Sequence, residues 1–291
     1  MRGVGESHGA ITIVNALPTG IGAAAGIALS ARAEVRIDPT AGPGGPTVSI
    51  RPAASDTPLV RATLLAAVER LSLSGPHSVE LEVHSHIPPG TGLKSSSAVG
   101  CAVVRAVDAA AGEAGGAEAV ARLSAEVSRR VGASATGAFD DALAGLSSGV
   151  VVTDNRHDRL LRSHPLPPGH AVALWIPPGV HVASPEAARR FAKDEPRARR
   201  AAEAAIAGRL WEAMDENSEV VEEAMGYDYR DLRARVRRHG AVGAGTSGLG
   251  PAFAAVAPLD RMEEVLAELP RSSGTRRTVP FLAPAPSHGG R

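Results

Sequence analysis

Pro88-Pro89-Gly90-Thr91-Gly92-Leu93-Lys94-Ser95-Ser96-Ser97-Ala98 joins two stretches of different period. Before it, Val79, Leu81 and Val83 alternate with Glu80, Glu82 and His84, and a period of two predicts a half-buried strand. After it, apolar residues recur at helical spacing over 96–111. A Gly-rich turn from strand to helix exposes backbone N–H groups at the positive end of the helix dipole, a geometry that accepts phosphate. Ser95, Ser96 and Ser97 add hydroxyls suited to phosphate oxygens or hydrated Mg²⁺, and Lys94 adds a positive charge. A Ser-capped helix start with no ligand explains the same residues, and the local geometry leaves both readings open. A Walker A loop is excluded: it needs Gly directly before Lys, and Leu93 stands between Gly92 and Lys94.

Working outward towards the N-terminus, 11–17 is a short apolar run that predicts a strand, closed by Pro18-Thr19-Gly20. Ile27, Leu29, Ala31, Ala33, Val35 and Ile37 alternate as a second strand. The Gly/Pro cluster 41–46 reads as a hairpin tip, with 47–51 as the returning strand. Val60, Leu64, Leu65, Val68 and Leu71 share one helix face, with Asp56 or Thr57 as cap.

Towards the C-terminus, a second helical pattern covers 117–131 and a strand covers 149–153. The polar stretch 155–169 predicts a crossing between domains 1–154 and 155–282. A strand at 171–176 follows. Ser184-Pro185-Glu186 reads as a helix start, with two or three helices to about Arg238. Then come a Gly-rich loop over 243–250, a strand at 252–257 and a helix from Asp260, whose pairing with Glu263 has capping-box spacing. The Pro/Gly/Ser-rich tail 283–291 predicts disorder.

Composition narrows the function. The 291 residues carry 31 basic and 31 acidic side chains, so the chain lacks the basic footprint of a nucleic-acid binder. Aromatics are 3%, too few for base-stacking platforms or a membrane belt. No signal-peptide core or long apolar span is visible, and a single cysteine, Cys101, suits a reducing compartment. A cytoplasmic protein with no membrane or nucleic-acid partner is therefore expected. Lys occurs only at 94 and 193, the other basic residues all being Arg, which marks Lys94 for attention.

Four segments, in order, carry a resemblance to a known family. The glycine turn Pro88 to Ala98 resembles the second motif of the GHMP small-molecule kinases, and its Gly92-Leu93-Lys94-Ser95-Ser96-Ser97-Ala98 variant is similar to the archaeal-type shikimate kinases of that superfamily. Gly9 to Ala16 with Thr19-Gly20-Ile21-Gly22-Ala23-Ala24 resembles the N-terminal motif. Thr136-Gly137-Ala138-Phe139-Asp140-Asp141-Ala142 resembles the central acidic motif, and Gly245-Thr246-Ser247-Gly248-Leu249-Gly250-Pro251 the third.

The resemblance implies an α/β (α+β) fold of two sub-domains with the active site in the cleft between them. It implies ATP bound by residues 88–98 with Mg²⁺ held by Ser96 and an acidic partner, for which Glu126 is the candidate. It further implies Asp140 as the catalytic carboxylate and an acceptor site near Gly20, Gly22, Thr246, Ser247 and Gly248. Because adjacent helical residues do not share a face, Asp141 is expected to stay secondary. One departure stands out: the archaeal-type family carries Lys in its T-G-K-G segment, and Ile21 occupies that place here. The missing cation is then absent or supplied by Lys94 or an arginine. The implied activity is ATP-dependent phosphorylation of the shikimate 3-hydroxyl, a step towards chorismate and aromatic amino acids. An aminoshikimate-like or homoserine acceptor, or a nucleotide-binding regulator without catalysis, are the alternatives.

Overall fold

The computed structural model describes residues 1–40, 47–178, 189, 191, 195–271 and 274–283. The cluster 41–46, the helix start at 184–186 and the tail 284–291 lie outside the described residues.

The first layer is a six-stranded sheet of β1 (Arg2–Val14), β2 (Ile21–Pro39), β3 (Thr47–Arg51), β4 (His77–Ser85), β5 (Val150–Asp154) and β6 (Arg159–His164). Its order is β3-β4-β2-β5-β6, with β1 paired to β2. The long β2 makes this possible: its first half pairs with β5 and its second half with β4, while β1 runs antiparallel along it from Arg2 to Val14. Helices α1 (Pro58–Glu69), α2 (Ser95–Ala110), α3 (Ala117–Arg130) and α4 (Phe139–Ala144) complete the first layer, with α2 lying on β1 and β2. Thr57 caps α1, its hydroxyl accepting from the Val60 N–H at 3.2 Å.

The second layer is an antiparallel sheet in the order β10-β7-β9-β8, made of β7 (His170–Ile176), β8 (Gly243–Thr246), β9 (Phe253–Pro258) and β10 (Thr275–Pro280). Helix α5 (Glu195–Ile206) packs on the helix that follows it and against β1 and β2, while α6 (Leu210–Met225), α7 (Arg230–Arg238) and α8 (Met262–Glu268) pack on the second sheet. From Ala171 to Ile176 strand β7 is apolar because both faces are buried. Val172, Leu174 and Ile176 join a core shared with the first layer, and Ala171, Ala173 and Trp175 pack with Leu232, Val236 and Val265. The two layers thus meet through one continuous apolar core.

Four local expectations change. Strand β3 pairs in parallel with β4 and not back onto β2, so 47–51 is not the return of a hairpin. The polar stretch after 154 contains β6, which closes the edge of the first sheet, so the chain leaves that sheet after His164, later than 154. Residues 243–246 form a strand and not a loop, since Gly243 and Gly245 lie against Trp211 and Ser218 where a Cβ has no room. Asp260 sits in a 3₁₀ turn, and α8 begins after Arg261 with no side-chain cap, so the Asp260–Glu263 capping box is not made.

Candidate active site

Helix α2 starts from Lys94, whose backbone takes the left-handed conformation at φ +68°. No side chain caps this end. The N–H groups of Ser95, Ser96 and Ser97 therefore have no intrahelical acceptor and face a cleft that all three serines line. Gly90, Thr91, Gly92 and Lys94 line the same cleft. Other residues of the turn serve the scaffold: Leu93 and Ala98 are buried in the core, Pro88 carries the carbonyl that accepts from the Thr91 hydroxyl at 2.9 Å, and Pro89 is exposed.

Segments from opposite ends of the chain hold this loop in place. The Ser247 hydroxyl donates to the Gly92 carbonyl at 2.8 Å and accepts from the Thr12 N–H at 3.2 Å. The Gly248 N–H donates to the Thr12 hydroxyl at 2.8 Å, and the Asn15 amide donates to the Gly248 carbonyl at 3.3 Å. Ala252 N–H reaches the Thr91 carbonyl at 3.1 Å. The approach is so close that a Cβ on Gly92, at φ +84°, would lie 2.0 Å from the Ser247 carbonyl oxygen. Only glycine fits there. Of the expected acceptor residues, Gly248 lines the cleft, whereas Ser247 is spent on the stitch. Thr246 turns away from the cleft, its hydroxyl donating to the buried Glu222 carboxylate at 3.2 Å.

The opposite wall is α4. Asp140 is buried beneath the cleft, and its N–H donates to the Asn155 side-chain carbonyl at 2.9 Å. A Cβ on Gly22 would come within 2.3 Å of Asp140 Oδ2 and 2.7 Å of Asn155 Nδ2, so the bare backbone at Gly22 makes room for both side chains. Burial pushes the Asp140 carboxyl up to about 7; the adjacent Asp141 carboxylate adds to the rise and Lys94 opposes it. Asp141 also lines the cleft, contrary to the expectation from helix geometry. Helix α4 starts just before these residues, from Ala138 in a left-handed conformation, and at the first turn two successive side chains both reach the opening. Asp141 Oδ1 pairs with Lys94 Nζ at 3.1 Å, both groups being largely buried.

Glu126 does not reach the cleft. Its side chain is 63% exposed and lies 4.0 Å from Arg130 along α3. The cleft residue on this helix is Ser128, roughly 200° further round the helix axis. Asn155, Asn15, Thr12 and Thr136 are the site residues that sequence reasoning left without a role. Thr12, Asn15 and Thr136 stood inside quoted motifs, but nothing local distinguished them. Asn155 fell in a stretch read as a linker.

A family profile described as GHMP kinases N terminal domain matches residues 59–149. A shikimate kinase from Pyrococcus abyssi is 35% identical over 266 residues, which span 91% of this chain and 94% of the relative. The chain belongs to the shikimate kinases of the GHMP family. A second relative, the shikimate kinase of Halobacterium salinarum, is 34% identical over 98% of this chain and 99% of its own length. Among solved structures, a mevalonate kinase superposes with a TM-score of 0.72 over 96% of this chain and 98% of its own. The homoserine kinase from Cytophaga hutchinsonii superposes with a TM-score of 0.66 over 92% and 90%. At 13% and 17% identity these two establish the fold alone. This GHMP kinase therefore has the α/β (α+β) fold that its motifs implied, built on two sheets with their helices.

The Lys94–Asp141 pair carries its own prediction. In a double-mutant cycle of Lys94→Met and Asp141→Asn, the coupling in transition-state energy should be roughly 0.5–3 kcal/mol, because each single change leaves a buried charge unpaired. Turnover at saturating substrates checks this, and additive effects would show that the pair does not act as a unit.

Proposed function

We propose that this GHMP kinase transfers the γ-phosphoryl group of ATP to the 3-hydroxyl of shikimate, giving shikimate 3-phosphate on the route to chorismate, in the cytoplasm. The observation that carries the reading is the placement of a buried carboxyl, Asp140, across one cleft from the uncapped start of α2. The whole-length similarity to shikimate kinases supports the acceptor.

Phosphoryl transfer requires positioning and charge neutralisation more than covalent chemistry. The N–H groups of Ser95, Ser96 and Ser97 hold the nucleotide phosphates, with Lys94 adjacent to neutralise charge. Asp140, ionised above about 7, accepts the proton of the acceptor hydroxyl as that oxygen bonds to phosphorus and the bond to ADP breaks. Asn155 fixes the start of α4 and so the position of Asp140. A non-catalytic regulator has no need of a carboxyl held at this burial cost, which favours the enzyme over that alternative.

Mg²⁺ suits the donor set. It binds through one or two carboxylates plus substrate phosphates, and the cleft offers Asp141 and the Ser96 hydroxyl, both oxygen donors. Glu126 is too far out on α3 to take part. When bound, the ion would neutralise phosphate charge. Ser96→Ala should therefore weaken Mg²⁺-dependent turnover while the fold survives, since no cap bond is made at this helix end. A Mg²⁺ titration of both proteins checks it, and superimposable curves would remove Ser96 from the metal.

The direct experiment is ADP release measured with shikimate, an aminoshikimate and homoserine as acceptors. Turnover with shikimate well above the others is expected. Turnover with another acceptor alone would overturn the substrate, and ATP binding without turnover would overturn the activity.

A further inference from the structure

A second cavity of about 370 Å³, in the size range of small-molecule sites, opens beside the phosphate cleft. Ala16, Leu17 and Thr136 line both, so the two are continuous. The second is floored by Gly20 and walled by Asn155, Arg129 and Arg156.

Three cations line the combined space. Lys94 is held by Asp141, and Arg129 is clamped by both carboxylate oxygens of Asp158 and by the Thr136 carbonyl. The third, Arg156, has no carboxylate partner for its guanidinium among the described residues. Among the described residues its side chain makes no hydrogen bond, while its backbone N–H donates to Asp154. The Arg156 side chain folds onto Gly20 so closely that a Cβ there would lie 2.6 Å from Nε. Two residues along, the bare backbone of Gly22 admits Asp140 Oδ2 and the side-chain amide of Asn155. That amide nitrogen, Asn155 Nδ2, is buried beside the Asp140 carboxyl, whose charged form it favours, and among the described residues it has no other acceptor. Across Gly20 to Gly22 the molecule thus presents a guanidinium with no carboxylate partner among the described residues, an amide nitrogen with a second hydrogen to donate and the carboxyl assigned to deprotonation. The two glycines that these groups overlie stand about 6.6 Å apart, two residues of extended chain, a spacing on the scale of one small ring.

We infer that Arg156 is the specificity determinant for a carboxylated acceptor. The acceptor's carboxylate sits on the Arg156 guanidinium, its reacting hydroxyl meets Asp140, and Asn155 Nδ2 donates to an oxygen of the acceptor. A planar guanidinium can engage a carboxylate through two parallel bonds, which supplies orientation as well as affinity. Ile21 between the two glycines provides no charge, so Arg156 brings the positive end of this strip from the neighbouring strand connection. The inference rests on the shikimate kinase reading and adds the residue that selects the acid.

The test compares shikimate with its methyl ester in the wild type, Arg156→Ala and Arg156→Lys, following ADP release. Charge-assisted hydrogen bonds are worth about 1.5–3 kcal/mol, so Arg156→Ala should raise the shikimate KM by roughly 10–150-fold. The ATP KM and kcat should stay within about threefold, because the phosphates and Asp140 are untouched. The wild type's preference for the free acid over the ester should collapse in Arg156→Ala and partly return in Arg156→Lys. Wild-type turnover with an unchanged KM and intact acid preference in Arg156→Ala would overturn the assignment and leave the kinase reading standing. Equal loss of kcat and of both affinities would also overturn it, as the mark of a structural role. A wild type that ignores shikimate would overturn the substrate reading, and this inference with it.

Discussion

Asp140→Asn is expected to lower turnover by about 10²–10⁴-fold, the usual worth of general-base assistance, while leaving nucleotide affinity in place. The same substitution should make the protein more stable at neutral pH. In the folded chain the Asp140 carboxyl is raised from 3.8 to about 7, with burial the first cause. Between those values the folded state binds more protons than the unfolded state, so stability falls as pH rises from about 4 to about 7. Above that range the burial cost is present in full. Asn keeps the shape and removes the charge, so the variant should gain on the order of 1 kcal/mol or more at pH 8, roughly 2–4 °C in Tm per kcal/mol. The gain should vanish below about pH 3, where both states are protonated. In the active enzyme kcat/KM should climb with pH through an acid limb near 7. Asp141→Asn should move that limb down, because the Asp141 carboxylate helps raise Asp140. Melting temperature and pH–rate profiles of the three proteins are the measurements. An inactive Asp141→Asn beside a normal Asp140→Asn would transfer the base role to Asp141, and full activity in both would remove the carboxylate mechanism.

Gly92→Ala is expected to damage both stability and nucleotide binding. Gly92 is left-handed at φ +84°, and its Cβ would lie 2.0 Å from a backbone oxygen, that of Ser247. Backbone cannot swing aside as a side chain does, so the two glycine loops must separate. Separation costs the Ser247–Gly92 and Ala252–Thr91 hydrogen bonds. A non-glycine residue held left-handed costs about 1–3 kcal/mol by itself. With the two lost bonds at about 1 kcal/mol each, Tm should fall by at least about 6–12 °C. The α2 N–H groups would lose their alignment, and ATP affinity should drop at least tenfold, about 1.4 kcal/mol. Gly112→Ala is the control: Gly112 has a similar φ of +76° with open space around its Cβ. It should show the conformational cost alone, without the loss of nucleotide affinity. Equal effects in calorimetry and nucleotide titration would show that the contact between the loops is unimportant.

Sequence by itself determined the elements whose signal is local. Alternation along Val79-Glu80-Leu81-Glu82-Val83 follows from one buried face, and β4 buries Val79, Leu81 and Val83 as that pattern requires. The strand-to-helix glycine turn, the serines at the start of α2, the Thr57 cap and the order of four motifs were likewise readable. Each depends on residues a few positions apart. Tertiary structure decided whatever depends on a partner far along the chain. Gly243 to Thr246 looks like a loop until Trp211 and Ser218 are packed against it, where only glycine lets the strand lie so close. Glu126 and Ser128 are equally polar on paper, and only the packing of α3 turns one to solvent and the other to the cleft. Asn155 becomes a site residue because β5 brings it under Asp140, and Arg156 because Gly20 gives it room. Ser247 lies 155 residues from the Gly92 carbonyl it bonds, a separation across which no sequence period carries information. Periodicity reports what each segment must bury, and the pairing of segments that share a buried surface sets which side chains converge on the cleft.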